Sequence, residues 1–246
     1  MSEQHDPKVA LVIGAGDATG GAVAKRFARE GYITCVTRRN ADKLKTLVDE
    51  IEVEGGVAHA YGSDARKEED VAELIADIER HMGPIEVAVY NIGANVNFPI
   101  SETTSRVYFK VWEMASFGAF LMGREVAKRM IPRGRGTMIF TGATASVMGR
   151  SGFAAFASAK FAKRGLAQSL ARELGPKGIH VSHVIIDGPI DTAFIRDNFQ
   201  GMLEARDYEN NLLTPNDIAD AYWYLHNQPR STWTFEMDLR PWAEPW

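Results

Sequence analysis

Short apolar runs alternate with longer amphipathic stretches along the whole chain. Val9-Ala10-Leu11-Val12-Ile13 contains no polar residue and ends in glycines, the mark of a strand buried on both faces. Residues 18–30 follow, with Ala22, Val23, Phe27 and Ala28 at helical spacing and Gly31 as the stop. The alternation continues to the other end. Strands are predicted over 33–37, 57–61, 85–90, 136–141, 179–186 and 233–239. Helices are predicted over 42–52, 67–82, 103–130, 153–174 and 218–227. A crossover between parallel strands must cover a face of the sheet. The pattern therefore predicts an α/β fold, a doubly wound parallel sheet of about seven strands with helices on both faces. The polar, irregular stretch 189–215 is expected to be either a small lid over a site or an ordinary surface excursion.

Composition narrows the class. The chain has 246 residues, 45% of them hydrophobic and 24% charged, with no repeat or linker, so a single domain over 1–246 is expected. Its net charge of −4 leaves no basic excess to offset phosphates, which argues against nucleic acid as a partner. The lone cysteine, Cys35, lies in an apolar run and is expected to be a buried, inert thiol. Neither an apolar leader nor a run of ~18 apolar residues is visible. A cytoplasmic protein with no membrane contact and no metal site is the expectation.

Gly14-Ala15-Gly16-Asp17-Ala18-Thr19-Gly20-Gly21 sits between the first strand and the first helix. A dinucleotide fold needs glycines there, for the turn and for close approach of backbone to a pyrophosphate. The loop resembles the Gly-x-x-x-Gly-x-Gly of the short-chain dehydrogenase/reductase family, with Gly14 and Gly20 at its ends and Ala18 at the middle glycine. The resemblance implies a Rossmann-type sheet and a nicotinamide cofactor held by Gly14, Gly16, Asp17, Ala18, Thr19 and Gly20. Arg38 stands where NAD-preferring members carry an acidic residue, and Arg39 follows it. Guanidinium groups suit a 2′-phosphate, so NADP(H) is expected ahead of NAD(H), with Asp17 pulling weakly the other way. Asp64 resembles the family's adenine-binding aspartate. Asn91-Ile92-Gly93 resembles Asn-Ala-Gly, placing Asn91 and Gly93 beside the cofactor. Gly188, Ile190 and Thr192 resemble the segment around the nicotinamide, with Asp187 in place of its proline. These likenesses run from Val9 to about Leu239.

At the chemical end, Phe156-Ala157-Ser158-Ala159-Lys160 resembles the family's Tyr-x-x-x-Lys. Lys160 matches the lysine, and Phe156 occupies the position of the proton-donating tyrosine. The serine position falls on Ala143 and, on the long helix, the asparagine position falls on Ala115. General acid catalysis contributes ~10²–10⁴-fold and each oxyanion donor ~10²–10³-fold, and neither Phe156 nor Ala143 supplies either. Thr144 or Ser146 is a candidate substitute for the serine, and Asp187 or a water for the proton donor. Lys160 is expected to hold the nicotinamide ribose.

Three readings remain open. One is an NADP-dependent oxidoreductase with a non-standard active site, acting on a small apolar or aromatic carbonyl or imine-like substrate. Another is an NADPH-binding sensor or partner subunit without turnover. The last is a structural or interaction protein that binds no nucleotide. Phe98, Phe117, Phe153, Phe156 and Phe194 are candidates for a site wall or for core packing. The resemblance implies a homodimer or homotetramer formed through the long helices, and Trp242 and Trp246 at the C-terminal end are candidates for a contact.

Overall fold

The structure, a computed structural model, describes residues 7–198, 201 and 211–244. Seven strands form one sheet in the order β3-β2-β1-β4-β5-β6-β7. They are β1 Val9–Ile13, β2 Ile33–Arg38, β3 Val57–Gly62, β4 Ile85–Tyr90, β5 Thr137–Thr141, β6 His180–Ile186 and β7 Glu236–Leu239. Every neighbouring pair is parallel. The strand order reverses at β1 and β4, and ligands of open parallel sheets bind at such a switch point, outside the carboxyl ends of the strands.

The uninterrupted apolar runs arise because both faces are covered. In β1, Val9, Leu11 and Ile13 enter one core, while Ala10 and Val12 enter the other. The first core lies under α3 (Glu68–His81), α5 (Gly118–Arg133) and α6 (Ala154–Leu174), the second under α1 (Thr19–Arg29), α2 (Lys45–Val53) and α8 (Pro215–His226). Cys35 lies in the middle of β2 with no solvent exposure, and burial pushes its thiol up to about 12. α1 and α8 meet through an aromatic cluster in which Phe27 stands edge-on to Tyr32 and Trp223 at 5.5 and 5.3 Å. Among the described residues, no helix is long and apolar enough to cross a membrane.

Four expected elements differ in their limits. The stretch 103–130 is not one helix: α4 (Ser105–Trp112) and α5 are joined by a π-helical turn over Glu113–Phe117. Tyr90 explains the turn. Its hydroxyl donates to Met114 O at 2.6 Å, and a Cβ on Gly118 would stand 2.1 Å from that hydroxyl, so the helix widens around the ring. The second helix opens as a 3₁₀ turn over Ala41–Leu44, where Asn40 accepts from Asp42 N at 2.9 Å. α8 starts earlier than its apolar spacing indicates, because Thr214 caps it and Pro215 occupies the first helical position. β7 is shorter than expected, with a 3₁₀ turn over Arg230–Thr232 before it and Trp233 stacked on His180 at 4.9 Å. A short helix, α7 (Ala193–Asn198), lies within the expected lid. Residues 199–200 and 202–210 of that lid, and Trp246 of the tail, lie outside the described residues.

Candidate active site

A cleft of about 670 Å³ opens over the carboxyl ends of β1, β4, β5 and β6. Its first wall is the glycine loop. Gly14 has φ +91°, and an added Cβ on Gly20 would meet Gly14 O at 2.4 Å, so bare backbone forms this wall. Asn91 Nδ2 donates to the same Gly14 O at 3.1 Å and fixes the loop to the end of β4. No side chain caps α1 at Ala18, and Thr19 Oγ1 is buried with no partner among the described residues. The residues of this turn, Gly16, Asp17, Ala18 and Thr19, all line the cleft, so the uncapped start of α1 lies at its wall.

Arg38 lines the cleft at the end of β2. Arg39 does not; it lines an adjoining hollow of about 490 Å³ with Arg38, Asn40 and Lys43. Three cations therefore surround one hollow beside the glycine loop. Asp17, almost fully exposed, approaches Arg38 at 3.6 Å. Asp64 is not in the cleft lining. Its carboxylate accepts from Arg66 Nε at 2.8 Å and Nη2 at 2.6 Å, and this pairing holds it down at about 2.

The inner end of the cleft is built by α6 and the loop after β5. Lys160, Phe156, Phe153, Ala143, Thr144 and Gly93 all line it. Ala115 does not; it is fully buried in the π-turn, clustered with Phe156 and Ala159. Lys160 is 4% exposed, with Nζ donating to Thr141 O at 3.1 Å and Gly142 O at 3.4 Å. Burial lowers its ammonium to about 8, the neighbouring Lys163 opposing the shift in part.

The candidate substitutes for the serine are already engaged. Ser146 Oγ accepts from Ala143 N at 3.1 Å and is fully buried. Thr144 Oγ1 donates to Asp187 Oδ1 at 2.5 Å. Asp187 is outside the cleft lining, and Arg240 donates to its second oxygen at 2.5 Å. Both carboxylate oxygens thus accept from the protein rather than face a substrate. Gly188, Ile190 and Thr192 do line the cleft, with Thr192 Oγ1 accepting from Ile195 N at 3.2 Å.

Of the proposed aromatic wall, Phe153 and Phe156 are present. Phe117 instead belongs to a stacked row, Phe109–Trp112–Phe117–Phe120, with centroids about 6 Å apart. Phe98 is 42% exposed away from the lining, and the side chain of Phe194 lies outside the description. Met148 and Ile195 complete an apolar rim. Arg150 at that rim and Lys163 beneath the floor were not picked out in the sequence. Lys163 is 0% exposed, and its one sequence signal is that it sits one helical turn after Lys160.

The description "short chain dehydrogenase" matches residues 8–202. A short-chain dehydrogenase/reductase of Armillaria gallica is 30% identical, covering 91% of this chain and 90% of that protein. Gluconate 5-dehydrogenase of Gluconobacter oxydans is 31% identical over 70% of this chain and 68% of its own. A short-chain dehydrogenase from Rhodopseudomonas palustris superposes with a TM-score of 0.83 at 49% identity, covering 97% of this chain and all of that one. A metagenomic short-chain oxidoreductase solved with NADP superposes at 0.82 and 25% identity, covering 95% and 97%.

Proposed function

We propose, for a chain that belongs to the short chain dehydrogenase family of oxidoreductases, an NADP(H)-dependent oxidoreductase acting on an apolar or aromatic carbonyl or imine-like substrate. One observation carries the cofactor choice: the hollow between Arg38, Arg39 and Lys43 is continuous with the glycine wall through Arg38. A 2′-phosphate carries about two negative charges and suits such a cluster. A relative of similar fold was solved with NADP, which supports the choice. The cleft's apolar inner end, with Met148, Phe153, Phe156 and Ile186, supports the substrate class.

The residues fit a nicotinamide dinucleotide. Bare backbone at Gly14 and Gly20, the uncapped α1 and the unpartnered Thr19 hydroxyl suit the pyrophosphate. Lys160, beside Gly93, suits the ribose next to the nicotinamide. Such a cofactor, when bound, exchanges a hydride with a carbonyl carbon. This chain's residues orient it, exclude water through Phe153 and Phe156, and must manage the proton on the substrate oxygen.

Titrating the protein with NADPH and NADH, following nicotinamide fluorescence, tests the cofactor choice. NADPH binding well ahead of NADH supports it; equal affinities count against it. A panel of aromatic ketones and cyclic imines, read as NADPH oxidation, tests turnover. A second reading, an NADPH-binding subunit without turnover, is favoured by Phe156, Ala143 and Ala115 standing where the family carries polar groups. It predicts binding with no oxidation across the panel. We also propose a homo-oligomer formed on the α4–α6 face, where Phe109, Phe120 and Phe161 are each at least 40% exposed.

A further inference from the structure

Arg150 is the charged side chain of the cleft that cofactor binding leaves without a task. Among the described residues, four charged side chains line the cleft: Asp17, Arg38, Arg150 and Lys160. Asp17 and Arg38 approach each other at the glycine-loop end. Lys160 is buried, with Nζ on two main-chain carbonyls. Arg150 is exposed, on the loop between β5 and α6 that also brings Met148 and Phe153 to the cleft. Among the described residues, no hydrogen bond, ion pair or ring contact engages its guanidinium.

The main chain under that side chain is fixed. Arg150 O accepts from Phe153 N at 3.1 Å, and Gly152 O accepts from Phe98 N at 2.8 Å. Gly152 has φ +81°, and a Cβ there would stand 2.7 Å from Asn97 Oδ1. The turn is thus seated closely on the loop after β4, which only glycine permits. The rim that carries Arg150 is a built part of the cleft, and the guanidinium is the part left open.

Nothing nearby answers its charge. Among the described residues, no carboxylate lines the inner end of the cleft. On the segment after β6, Asp187 is held by Thr144 and Arg240, and Asp191 by Arg196 at 2.5 and 2.8 Å. The inner end is otherwise mainly apolar, with Met148, Phe153, Phe156, Ile186 and Ile195. An apolar floor with one cation at its rim complements an amphiphilic anion, whose body leaves water while its charge meets the guanidinium. The charge count favours a carboxylate. A phosphate carries about two negative charges, and the hollow beside the glycine loop supplies Arg38, Arg39 and Lys43 for one. Arg150 offers a single cation, and its planar fork matches a carboxylate through two parallel bonds.

We propose that Arg150 determines substrate specificity, and that the substrate is an apolar or aromatic carbonyl or imine-like compound that also bears a carboxylate. The carboxylate takes no part in the chemistry; it is the handle by which the substrate is held. The reacting group rests on the oxidoreductase reading, whereas the carboxylate rests on Arg150 alone.

The test compares acids with their uncharged amides: para-acetylbenzoate with para-acetylbenzamide, and the meta-acetyl and para-formyl pairs likewise. Full-length protein is titrated by calorimetry, alone and with saturating NADP⁺. In the wild type, acids should bind roughly five- to thirtyfold tighter than their amides, the range for a partly screened charge-assisted bond. In Arg150→Gln, which keeps the length and polarity but not the charge, that preference should vanish while the amides bind as before. Arg150→Lys should restore part of it. Equal binding of acid and amide, a preference that survives Arg150→Gln, or no binding of any acid would each overturn the proposal. The same pairs are then followed as NADPH oxidation. Arg150-dependent binding with nothing oxidised leaves the carboxylate site standing and removes the oxidoreductase reading. Oxidation at the same kcat/KM for acid and amide, unchanged in Arg150→Gln, keeps that reading and overturns the carboxylate site.

Discussion

Replacing Arg38 with alanine separates the two cofactors by a computable amount. A hydrogen bond to a charged group contributes ~1.5–3 kcal/mol. The Arg38 side chain is 36% exposed and already has Asp17 at 3.6 Å, so solvent screening and that competitor favour the low end. About 1.5–2 kcal/mol corresponds to roughly 10–30-fold in Kd. Arg39 and Lys43 remain and keep part of the attraction. Arg38→Ala should therefore weaken NADPH roughly 10–30-fold in a fluorescence titration at low salt, and NADH by less than about threefold. The loss should shrink as ionic strength rises, because the attraction Arg38 supplies in the wild type is itself screened over ~10 Å at 0.1 M. An equal loss for both cofactors would mean that Arg38 shapes the loop rather than reading a phosphate. An unchanged NADPH affinity would refute the hollow as a phosphate site.

Other expectations follow from the same geometry. Asp17→Asn should tighten NADPH binding roughly two- to fivefold and NADH by less, since the carboxylate both repels the pyrophosphate common to the two and competes for the Arg38 guanidinium. Gly20→Ala drives a methyl against Gly14 O, so nucleotide binding should fall below detection in the same titration while circular dichroism shows a folded protein. His183 and His226 are both lowered by burial to about 4, below their ordinary 6.5. The unfolded chain therefore binds more protons between those values. Stability should be complete above pH 6.5 and fall as pH drops toward 4, by on the order of 1 kcal/mol per histidine at pH 5.5, as urea midpoints would show. Phe109→Glu on the stacked aromatic row should dissociate the proposed oligomer in light scattering without lowering the melting temperature of the monomer.

The strands were legible in the sequence because burial on both faces leaves a local mark, an unbroken apolar run such as Val9 to Ile13. The glycine loop was legible for a similar reason, since bare backbone can only be written as glycine. The π-turn was not. It depends on Tyr90 reaching Met114 across 24 residues, and no local periodicity carries that contact. The partners of Thr144, Ser146 and Asp64 were hidden in the same way: the sequence shows a hydroxyl or a carboxylate, and the fold decides that Asp187, Ala143 N and Arg66 occupy it. Lys163 was missed because a lysine on an alanine-rich helix ordinarily reaches solvent. Only the packing of β4, β5 and α6 reveals that this one ends at main-chain carbonyls.

Cys35 gives the molecule a built-in clock. Its side chain belongs to the core packed on one face of the sheet, and its thiolate is disfavoured by burial. A thiol reagent added to folded protein must therefore wait for β2 to open. The labelling rate then equals the intrinsic thiol rate multiplied by the fraction of molecules open at any instant. Because the chain has one cysteine, every labelling event reports the same opening. Repeating the experiment with NADPH present would convert ligand affinity into seconds of added protection, without an optical signal from the cofactor.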